Sequence, residues 1–283
     1  MIRALKGHGT GNDFIVVPPI ERDFTASEVA LLCDRHFGVG ADGLIRIVPT
    51  RDADTDFVRS QAADWFMDYR NADGSVAEMC GNGVRVFVHA LISEGLAAPG
   101  EFTVATRGGE RRIRVDHVGG EVAVEMGIGV PELPSRITVA EGTSFPAVGM
   151  HFPNPHAIVF VDDLADAGDL IDIPKWQPVE RYPSGVNVEF VSVVGPRHLE
   201  VRIHERGVGE TLSCGTGICA AVAVAREAEA DTDAGTWQVD VQGGTVFVDV
   251  DAAGMTTLRG PAQIVATIAI DEQWLRDSAQ ATA

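Results

Sequence analysis

The feature that most constrains the fold is a short motif that occurs twice in the chain. Cys80-Gly81-Asn82-Gly83 recurs as Cys214-Gly215-Thr216-Gly217. Further along each copy a glycine pair, Gly108-Gly109 in one case and Gly243-Gly244 in the other, lies between runs in which apolar and polar residues alternate. Alternation with a period of two around a glycine turn predicts a β-hairpin in both places.

The landmarks that precede each cysteine also repeat in order. Asn12-Asp13-Phe14 resembles Asn154-Pro155-His156, and the stretch from Gly40 to Ile45 corresponds loosely to the residues around Asn187. Several landmarks in one order indicate a duplicated chain. We therefore predict two halves, residues 1–118 and 119–267, with the segment 268–283 returning to complete the first half. Each half should contain strands, a helix after its cysteine, and further strands.

Composition limits the classes of partner. The chain has 283 residues, 45% of them hydrophobic, and a formal net charge of -19. So acidic a balance argues against nucleic acid or an anionic membrane surface as a partner. The sequence has no run of about 18 apolar residues that would predict a membrane span, and no apolar stretch follows Lys6 as in a secretory signal. We expect a cytoplasmic protein with reduced thiols.

Cys80 and Cys214 each stand directly before a Gly-polar-Gly sequence and a predicted helix. The unpaired N–H groups of a helix N-terminus bind anions, and the helix dipole favours a thiolate. If these donors hold the carboxylate of an amino acid, they also stabilise the charge that develops when its α-proton leaves. Two such thiols predict an acid–base pair, in which one removes the α-proton from one face and the other returns a proton to the opposite face.

Other roles for the cysteines are open at this level. A lone cysteine before a helix is commonly a small buried side chain, which is our interpretation of Cys33 and Cys219. A zinc site would need a second close pair of ligands, which the sequence lacks. Pyridoxal phosphate would need a Schiff-base lysine, and neither Lys6 nor Lys175 lies in a glycine-rich phosphate-binding context. A cysteine nucleophile with a histidine base is conceivable but would not require two equivalent thiols. We expect neither a metal nor an organic cofactor.

Four asparagines in glycine- or proline-containing turns are candidates for binding the substrate: Asn12, Asn71, Asn154 and Asn187. Their alternative role is local capping of the backbone. The sequence alone leaves both roles open for each of them.

Glu205-Arg206 lies before Cys214 at the position that corresponds to Asn71 before Cys80. Arg206 offers a two-pronged fork for a carboxylate, and Glu205 can pair with an ammonium group or shift the pKa of a thiol. A structural salt bridge between them is the alternative. His156 is suited either to tuning a thiol or to a capping or core position.

These residues in this order resemble the diaminopimelate epimerase family over essentially the whole chain. The matching stretches are Gly9 to Phe14, Asn71 to Ser75, Cys80 to Arg85, Asn154 to His156, Gly185 to Asn187, Glu205 to Gly207 and Cys214 to Gly217. The resemblance implies interconversion of LL- and meso-diaminopimelate, a small diamino diacid, without a cofactor, in lysine and peptidoglycan precursor biosynthesis. It implies an α+β (mixed α/β) fold of two pseudo-symmetric domains, each a β-barrel-like, largely antiparallel sheet around a central helix. The family's active site lies in the cleft between the domains, and a homodimer is the expected assembly.

The resemblance also assigns roles. In the family one cysteine removes the proton and the other donates it, and these positions match Cys80 and Cys214. His156 and Glu205 match positions that tune the thiols. The family's substrate-binding positions match Asn12, Asn71, Gly81, Asn82, Asn154, Asn187, Glu205, Arg206, Gly215 and Thr216. No metal site is implied.

Two departures and two alternatives accompany the resemblance. Some relatives carry glutamine where Gly43 stands here, and Ala157 replaces a cysteine often found after Asn-Pro-His. One alternative is a proline racemase-like or hydroxyproline epimerase-like enzyme of the same fold, which tends to carry histidine where Asn82 stands and to lack the Glu205-Arg206 context. The remote alternative is a non-catalytic amino-acid-binding protein, against which the intact thiol pair argues.

Overall fold

Strands predominate in the computed structural model, which describes residues 1–281. The strands are β1 (Ile2–Gly9), β2 (Asn12–Val17), β3 (Gly43–Pro49), β4 (Trp65–Asn71), β5 (Gly100–Val104), β6 (Arg111–Val115), β7 (Val122–Gly127), β8 (Val130–Thr138), β9 (Ser144–His151), β10 (Pro155–Phe160), β11 (Lys175–Gln177), β12 (Asn187–Gly195), β13 (His198–Glu205), β14 (Gly209–Thr211), β15 (Gly235–Val241), β16 (Gly244–Val250), β17 (Thr256–Gly260) and β18 (Gln263–Ile270). The α-helices are α1 (Ala26–Cys33), α2 (Asp56–Arg59), α3 (Gly81–Ser93), α4 (Gly215–Ala228) and α5 (Glu272–Ala281). Short 3-10 helices cover Thr50–Asp52, Leu164–Ala167 and Val179–Arg181.

The chain divides into two compact units. The first contains residues 1–124 together with the chain from Pro261 onward, and the second contains residues 125–260. The returning segment includes β18, which pairs with β1 over the length of both strands. The predicted limits of the halves, 1–118 with 268–283 and 119–267, stay a prediction, and residues 282 and 283 lie outside the described part of the chain.

The first unit contains a five-stranded sheet in the order β18-β1-β2-β3-β4. Only β2 and β3 run parallel, and the other neighbours are antiparallel. One face of this sheet is apolar and packs with α1 and α5 in a core that includes Ile15, Leu44 and Leu275. The capping box at the start of α1 satisfies the N–H groups of Thr25 and Glu28 and fixes where the helix begins.

The second unit repeats that pattern within itself. Its strands follow the order β8-β9-β10-β12-β13, with β10 and β12 parallel and the other neighbours antiparallel. The sheet then continues through β15, β16 and β17. The two units therefore share one sequence of strand pairings, as expected of a duplicated chain.

A long buried helix lies against the strands of each unit. From Gly81 to Leu91 every residue of α3 is buried, and the helix packs on β1, β2, β3, β4 and β18. The helix α4 is rich in alanine, which favours helix formation, and it packs on β9, β10, β12, β13, β16 and β17. A helix that is buried over most of its surface belongs in a core, although α3 also buries the polar side chains of Asn82, Arg85 and His89.

The predicted α+β fold, with sheet strands around a central helix in each of two similar units, is confirmed. The glycine-pair hairpins are present as β5–β6 and β15–β16, both antiparallel. Among the described residues no helix is long and apolar enough to cross a membrane.

Candidate active site

Cys80 is the N-cap residue of α3. Its backbone is extended (φ -139°, ψ 121°), and its Sγ accepts a hydrogen bond from the Gly83 N–H at 3.5 Å. Glycine at position 81 and Asn82 follow as the first, fully buried turn of the helix. The sulfur therefore lies where the N–H groups of the helix stabilise negative charge.

Asn12 orients the thiol from the start of β2. Its Nδ2 donates to Asp42 Oδ2 at 2.7 Å, so its Oδ1 faces the other way. That oxygen accepts from the Cys80 thiol at 3.5 Å and from Asn82 Nδ2 at 3.4 Å. The amide of Asn12 is thus held as an acceptor toward the cysteine.

A charged cluster holds Asp42 in place. Arg35 contacts both Asp42 and Asp13, at 2.8 Å and 2.7 Å, and Lys6 contacts Asp13 at 2.5 Å. Burial alone would raise the pKa of Asp13, but the hydrogen bonds from Arg35 and Lys6 outweigh it and lower this pKa to about 2. Asp13 therefore stays ionised, and the cluster remains a fixed support for Asn12 at neutral pH.

Asn71 is the last residue of β4, where it pairs with Gly43 of β3. Its Nδ2 donates to Ser75 Oγ at 3.0 Å, which leaves its Oδ1 as an acceptor. A side chain at position 43 would require the neighbouring backbone or Tyr69 to shift, because a Cβ there would lie 2.7 Å from the Tyr69 ring and 2.6 Å from the Arg70 carbonyl oxygen.

Cys214 is the N-cap residue of α4, with nearly the same backbone conformation as Cys80 (φ -128°, ψ 113°). Its Sγ lies 3.4 Å from the Thr216 hydroxyl. Burial raises the pKa of the Cys214 thiol well above its ordinary value, and the carboxylates of Glu205 and Glu189 raise it further. The Thr216 hydroxyl and the Gly217 N–H act in the opposite direction. The Cys214 thiol therefore keeps its proton at neutral pH.

Glu205 and Arg206 follow one another at the end of β13. Glu205 accepts a hydrogen bond from the Thr211 hydroxyl at 2.6 Å. The Arg206 side chain lies over Gly185, where a Cβ would come within 2.9 Å of its methylene groups. Gly185 also has a positive φ of 86°, so position 185 requires glycine on two counts.

The asparagines of the second unit are held by their oxygen atoms. Asn187 Oδ1 accepts from the Arg206 backbone N–H at 2.9 Å. Asn154 Oδ1 lies 2.9 Å from Nε2 of His156. In both cases the Nδ2 group is left to act as a donor.

One residue of this cluster, Glu189, was not predicted from the sequence. It lies in β12, is fully buried, and its Oε1 is 2.7 Å from His156 Nδ1. In Val188-Glu189-Phe190 the pattern is typical of a strand with an outward glutamate. The available signal was that Glu189 occupies the position in the second half that corresponds to the apolar Ile45 in the first half.

The chemistry of the two units differs in a simple way. The asparagines of the first unit, Asn12 and Asn71, are fixed as acceptors. Those of the second unit, Asn154 and Asn187, are fixed as donors and lie in the same unit as the Arg206 guanidinium. Acceptors suit an ammonium group, whereas donors suit a carboxylate.

The predicted residues fall into one set in each unit, and in the first unit Asn12 contacts both Cys80 and Asn82, while Asn71 lies at the end of β4 beside Gly43. The first set contains Asn12, Asn71, Cys80, Gly81 and Asn82, and the second contains Asn154, His156, Asn187, Glu205, Arg206, Cys214, Gly215 and Thr216. Their catalytic and binding roles stay predictions at this point.

The remaining cysteines are buried in the cores. Burial raises the pKa of Cys33 to about 12, and Cys219 is fully buried in α4. Within the described part of the chain no group of three or more His, Cys, Asp or Glu side chains is arranged to hold a metal ion.

The family model for diaminopimelate epimerase matches residues 4–130 and 150–265. A diaminopimelate epimerase of Streptomyces coelicolor is 48% identical and covers 97% of both chains. One of Rhodococcus opacus is 42% identical over 95% of this chain and 97% of its own length.

Solved structures share the fold at low sequence identity. A hydroxyproline epimerase of Agrobacterium vitis superposes with a TM-score of 0.68 at 16% identity, over 94% of this chain and 91% of its own. A phenazine biosynthesis protein of the PhzF family from Bacillus anthracis has a TM-score of 0.66 at 18% identity, over 95% and 99%. These likenesses concern the fold alone, whereas the match along the sequence is specific. The chain belongs to the diaminopimelate epimerase family.

Proposed function

We propose that this protein interconverts LL- and meso-diaminopimelate without a cofactor, with Cys80 and Cys214 as the acid–base pair, in lysine and peptidoglycan precursor biosynthesis. The observation that carries the proposal is that both cysteines cap the N-terminus of a buried helix, in a chain of this family. Each thiol thereby lies beside backbone donors suited to a carboxylate and to its enolate-like transition state.

The protonation of the two thiols sets their starting roles. Cys214 keeps its proton in the resting enzyme because its pKa is raised by burial and by two carboxylates. Cys214 therefore donates the proton in the direction in which Cys80, once it has released its own proton to form a thiolate beside the Gly83 N–H, removes the α-proton. In the reverse direction the roles exchange, because the first turnover leaves the proton on the other sulfur.

Binding follows from the fixed amides. Asn154, Asn187 and Arg206 offer donors to a substrate carboxylate, and Asn71 offers an acceptor to an ammonium group. Glu205 supplies a negative charge for an ammonium group and adjusts the Cys214 thiol, with His156 supporting that site. The backbone N–H groups after each cysteine, including Gly81, Asn82, Gly215 and Thr216, bind the carboxylate of the reacting centre.

Three further properties belong to the same proposal. The two units correspond to the two duplicated halves, the enzyme acts in the cytoplasm, and it assembles as a homodimer. Light scattering on the purified protein tests the assembly, because a dimer has twice the 30.1 kDa chain mass.

The function is tested by incubating the protein under reducing conditions with LL-diaminopimelate and, separately, with trans-4-hydroxy-L-proline. We expect inversion of diaminopimelate only, with a loss of about 100-fold or more in each of Cys80→Ala and Cys214→Ala. Cys33→Ala is the matched control, since that thiol packs in the hydrophobic core of the first unit and belongs to neither cluster. Inversion of hydroxyproline instead would identify a racemase of the same fold, and full activity of either cysteine variant would exclude the two-thiol mechanism.

A further inference from the structure

Equivalent places in the two units hold different kinds of side-chain pair. The glycines Gly83 and Gly217 occupy the same position of the repeated motif. Gly83 lies against Ile45 and Phe14, with ideal Cβ distances of 3.3 Å and 3.5 Å to their side chains. At Gly217 a Cβ would overlap the carboxylate of Glu189. An apolar environment in the first unit is thus replaced by a charged one in the second.

The strand register shows which other residues of the two units correspond. In the parallel pair β2–β3, Phe14 lies opposite Gly43 and Ile45 follows two residues on. In the parallel pair β10–β12, His156 lies opposite Asn187 and Glu189 follows two residues on. His156 and Glu189 therefore occupy the positions of Phe14 and Ile45.

Burying an ionisable pair is costly. His156 and Glu189 are both fully buried, and desolvation of such a pair commonly offsets its attraction. The first unit shows that the same strand pairing and helix packing form with phenylalanine and isoleucine at these positions. Folding therefore does not require the charged pair, so we look for its role in its effect on neighbouring groups.

The hydrogen bonds of His156 define its protonation. Nδ1 lies 2.7 Å from Glu189 Oε1, and Nε2 lies 2.9 Å from Asn154 Oδ1. A carboxylate oxygen and an amide oxygen are both acceptors, so these two contacts are both satisfied only if both ring nitrogens donate. The form of His156 that fits this geometry has two protons, with the Glu189 carboxylate beside it.

We propose that Glu189 is a positioning residue, which holds His156 as a two-proton imidazolium and thereby locks the Asn154 amide with its NH2 group presented to a substrate carboxylate. The last step rests on the proposed function. With a neutral His156, Nε2 would accept a hydrogen bond, and the Asn154 amide would turn to satisfy it. Its oxygen would then face the carboxylate, and an attractive contact would become a repulsive one.

The first unit uses another device for its equivalent asparagine. Asn12 is anchored through Nδ2 by Asp42, so its oxygen is presented. The two amides have opposite orientations because the residue two positions further on differs. That residue is Phe14 after Asn12 and His156 after Asn154. In the first unit Phe14 and Ile45 cannot hydrogen-bond to the Asn12 amide, which is held by Asp42. In the second unit His156, paired with Glu189, holds the Asn154 amide.

The protonation claim is tested by histidine side-chain NMR of the 15N-labelled protein at neutral pH, without substrate. We expect two protonated nitrogens on His156, assigned by the signals that disappear in His156→Phe/Glu189→Ile. A single protonated nitrogen on His156 in the wild type would overturn the proposal. This result does not depend on any activity, so it stands or falls separately from the proposed function.

The positioning claim is tested by kinetics of the same double variant, which copies the side chains of the first unit into the second. We expect it to fold with an unfolding midpoint close to that of the wild type, because the apolar pair is compatible with this packing. KM for diaminopimelate should rise about tenfold or more, the scale of one lost charge-assisted hydrogen bond, with a smaller change in kcat. Glu200→Gln, a loss of one charge at an exposed position of β13, is the control and should keep KM.

An unchanged KM in the folded double variant would contradict the positioning role. If the double variant does not fold, Glu189→Gln replaces it, since glutamine has the same shape but cannot balance the charge of His156. That variant should lose one of the two His156 N–H signals and raise KM in the same way. Retention of both signals and of KM would overturn the proposal.

Discussion

Asn12 is fixed by Asp42, whose Oδ2 accepts from its Nδ2 at 2.7 Å. This contact decides which end of the amide faces Cys80, and the oxygen end does so at 3.5 Å. Asp42 thus acts on the thiol through Asn12.

We therefore predict that Asp42→Ala lowers kcat/KM by about 10- to 100-fold, the scale of a misplaced group in an active site. The loss arises because Asn12 is then no longer held with its oxygen toward Cys80, and the thiol loses its fixed orientation. Steady-state kinetics with diaminopimelate measures the effect. Asp52→Asn, an exposed carboxylate in a 3-10 helix, is the control, and equal kinetics for Asp42→Ala and the wild type would refute this role.

The raised pKa of Cys214 makes this thiol slow to react. A thiol is alkylated as its thiolate. A pKa above the ordinary range therefore lowers the alkylation rate at neutral pH, and the rate increases only at a higher pH than for a free cysteine. Glu205→Gln removes one cause of the shift, and we expect it to speed alkylation of Cys214 about tenfold for each unit by which the pKa falls.

Mass spectrometry of the protein treated with iodoacetamide measures this rate without substrate. Glu227→Gln, an exposed position near the end of α4, serves as the charge-matched control. Alkylation of Cys214 in the wild type as fast as that of a free cysteine would show that its pKa is not raised. Cys33, with a pKa raised to about 12, should remain unmodified at neutral pH.

Gly217 and Gly83 should respond differently to alanine. A Cβ at Gly217 overlaps Glu189, whereas one at Gly83 meets the terminal methyl of Ile45 at 3.3 Å and can be accommodated by a small rotation. We predict that Gly217→Ala costs about 1–3 kcal/mol through overpacking, while Gly83→Ala changes stability by less than about 1 kcal/mol because alanine also favours the helix.

Urea unfolding of both variants gives the two free energies of unfolding. The pair is a matched comparison, since the two glycines occupy the same position of the repeated motif. Equal costs would mean that the buried carboxylate does not distinguish the two sites.

Burial of His204 makes the stability of the folded protein depend on pH. It is buried in β13, and neither ring nitrogen has a hydrogen-bond partner among the described residues. Burial lowers its pKa below the ordinary 6.5, so below about pH 6.5 the unfolded chain binds a proton that the folded protein does not. The stability from this group is complete above that pH and is lost as the pH falls toward the lowered value.

We expect His204→Phe to reduce the loss of stability between neutral pH and mildly acidic pH. Thermal unfolding at a series of pH values measures it, and the exposed His36→Gln variant controls for the removal of one histidine. An acid dependence that is the same in His204→Phe and the wild type would assign the effect to other groups.

Much of the fold and of both clusters could be predicted from the sequence because the chain is duplicated. A helix whose N-terminus binds an anion needs the same few residues wherever it occurs, so Cys80 and Cys214 could be recognised from their glycines alone. The asparagines stood out because they lie in glycine- or proline-containing turns, and in the structure Asn12 and Asn187 begin strands and Asn71 ends one.

The parts that could not be predicted depend on contacts between distant strands. Glu189 has the sequence context of an outward strand residue, and its burial becomes evident only when β12 is paired with β10 and covered by α4. The orientation of each amide is equally invisible in the sequence, since Asn12 and Asn154 are the same residue type. It is set by Asp42 in one unit and by His156 in the other.

The central claim, that two thiols act from opposite faces, is tested most directly by following the α-hydrogen in deuterated water. LL-diaminopimelate is incubated briefly with the wild-type enzyme under reducing conditions, and NMR and mass spectrometry locate the deuterium. We predict deuterium at the inverted carbon of the meso product and almost none in the recovered substrate, because the removed proton and the returned deuteron are held by different sulfurs. Early deuterium in the recovered substrate as well as in the product would indicate a single base that serves both faces, and would contradict the account.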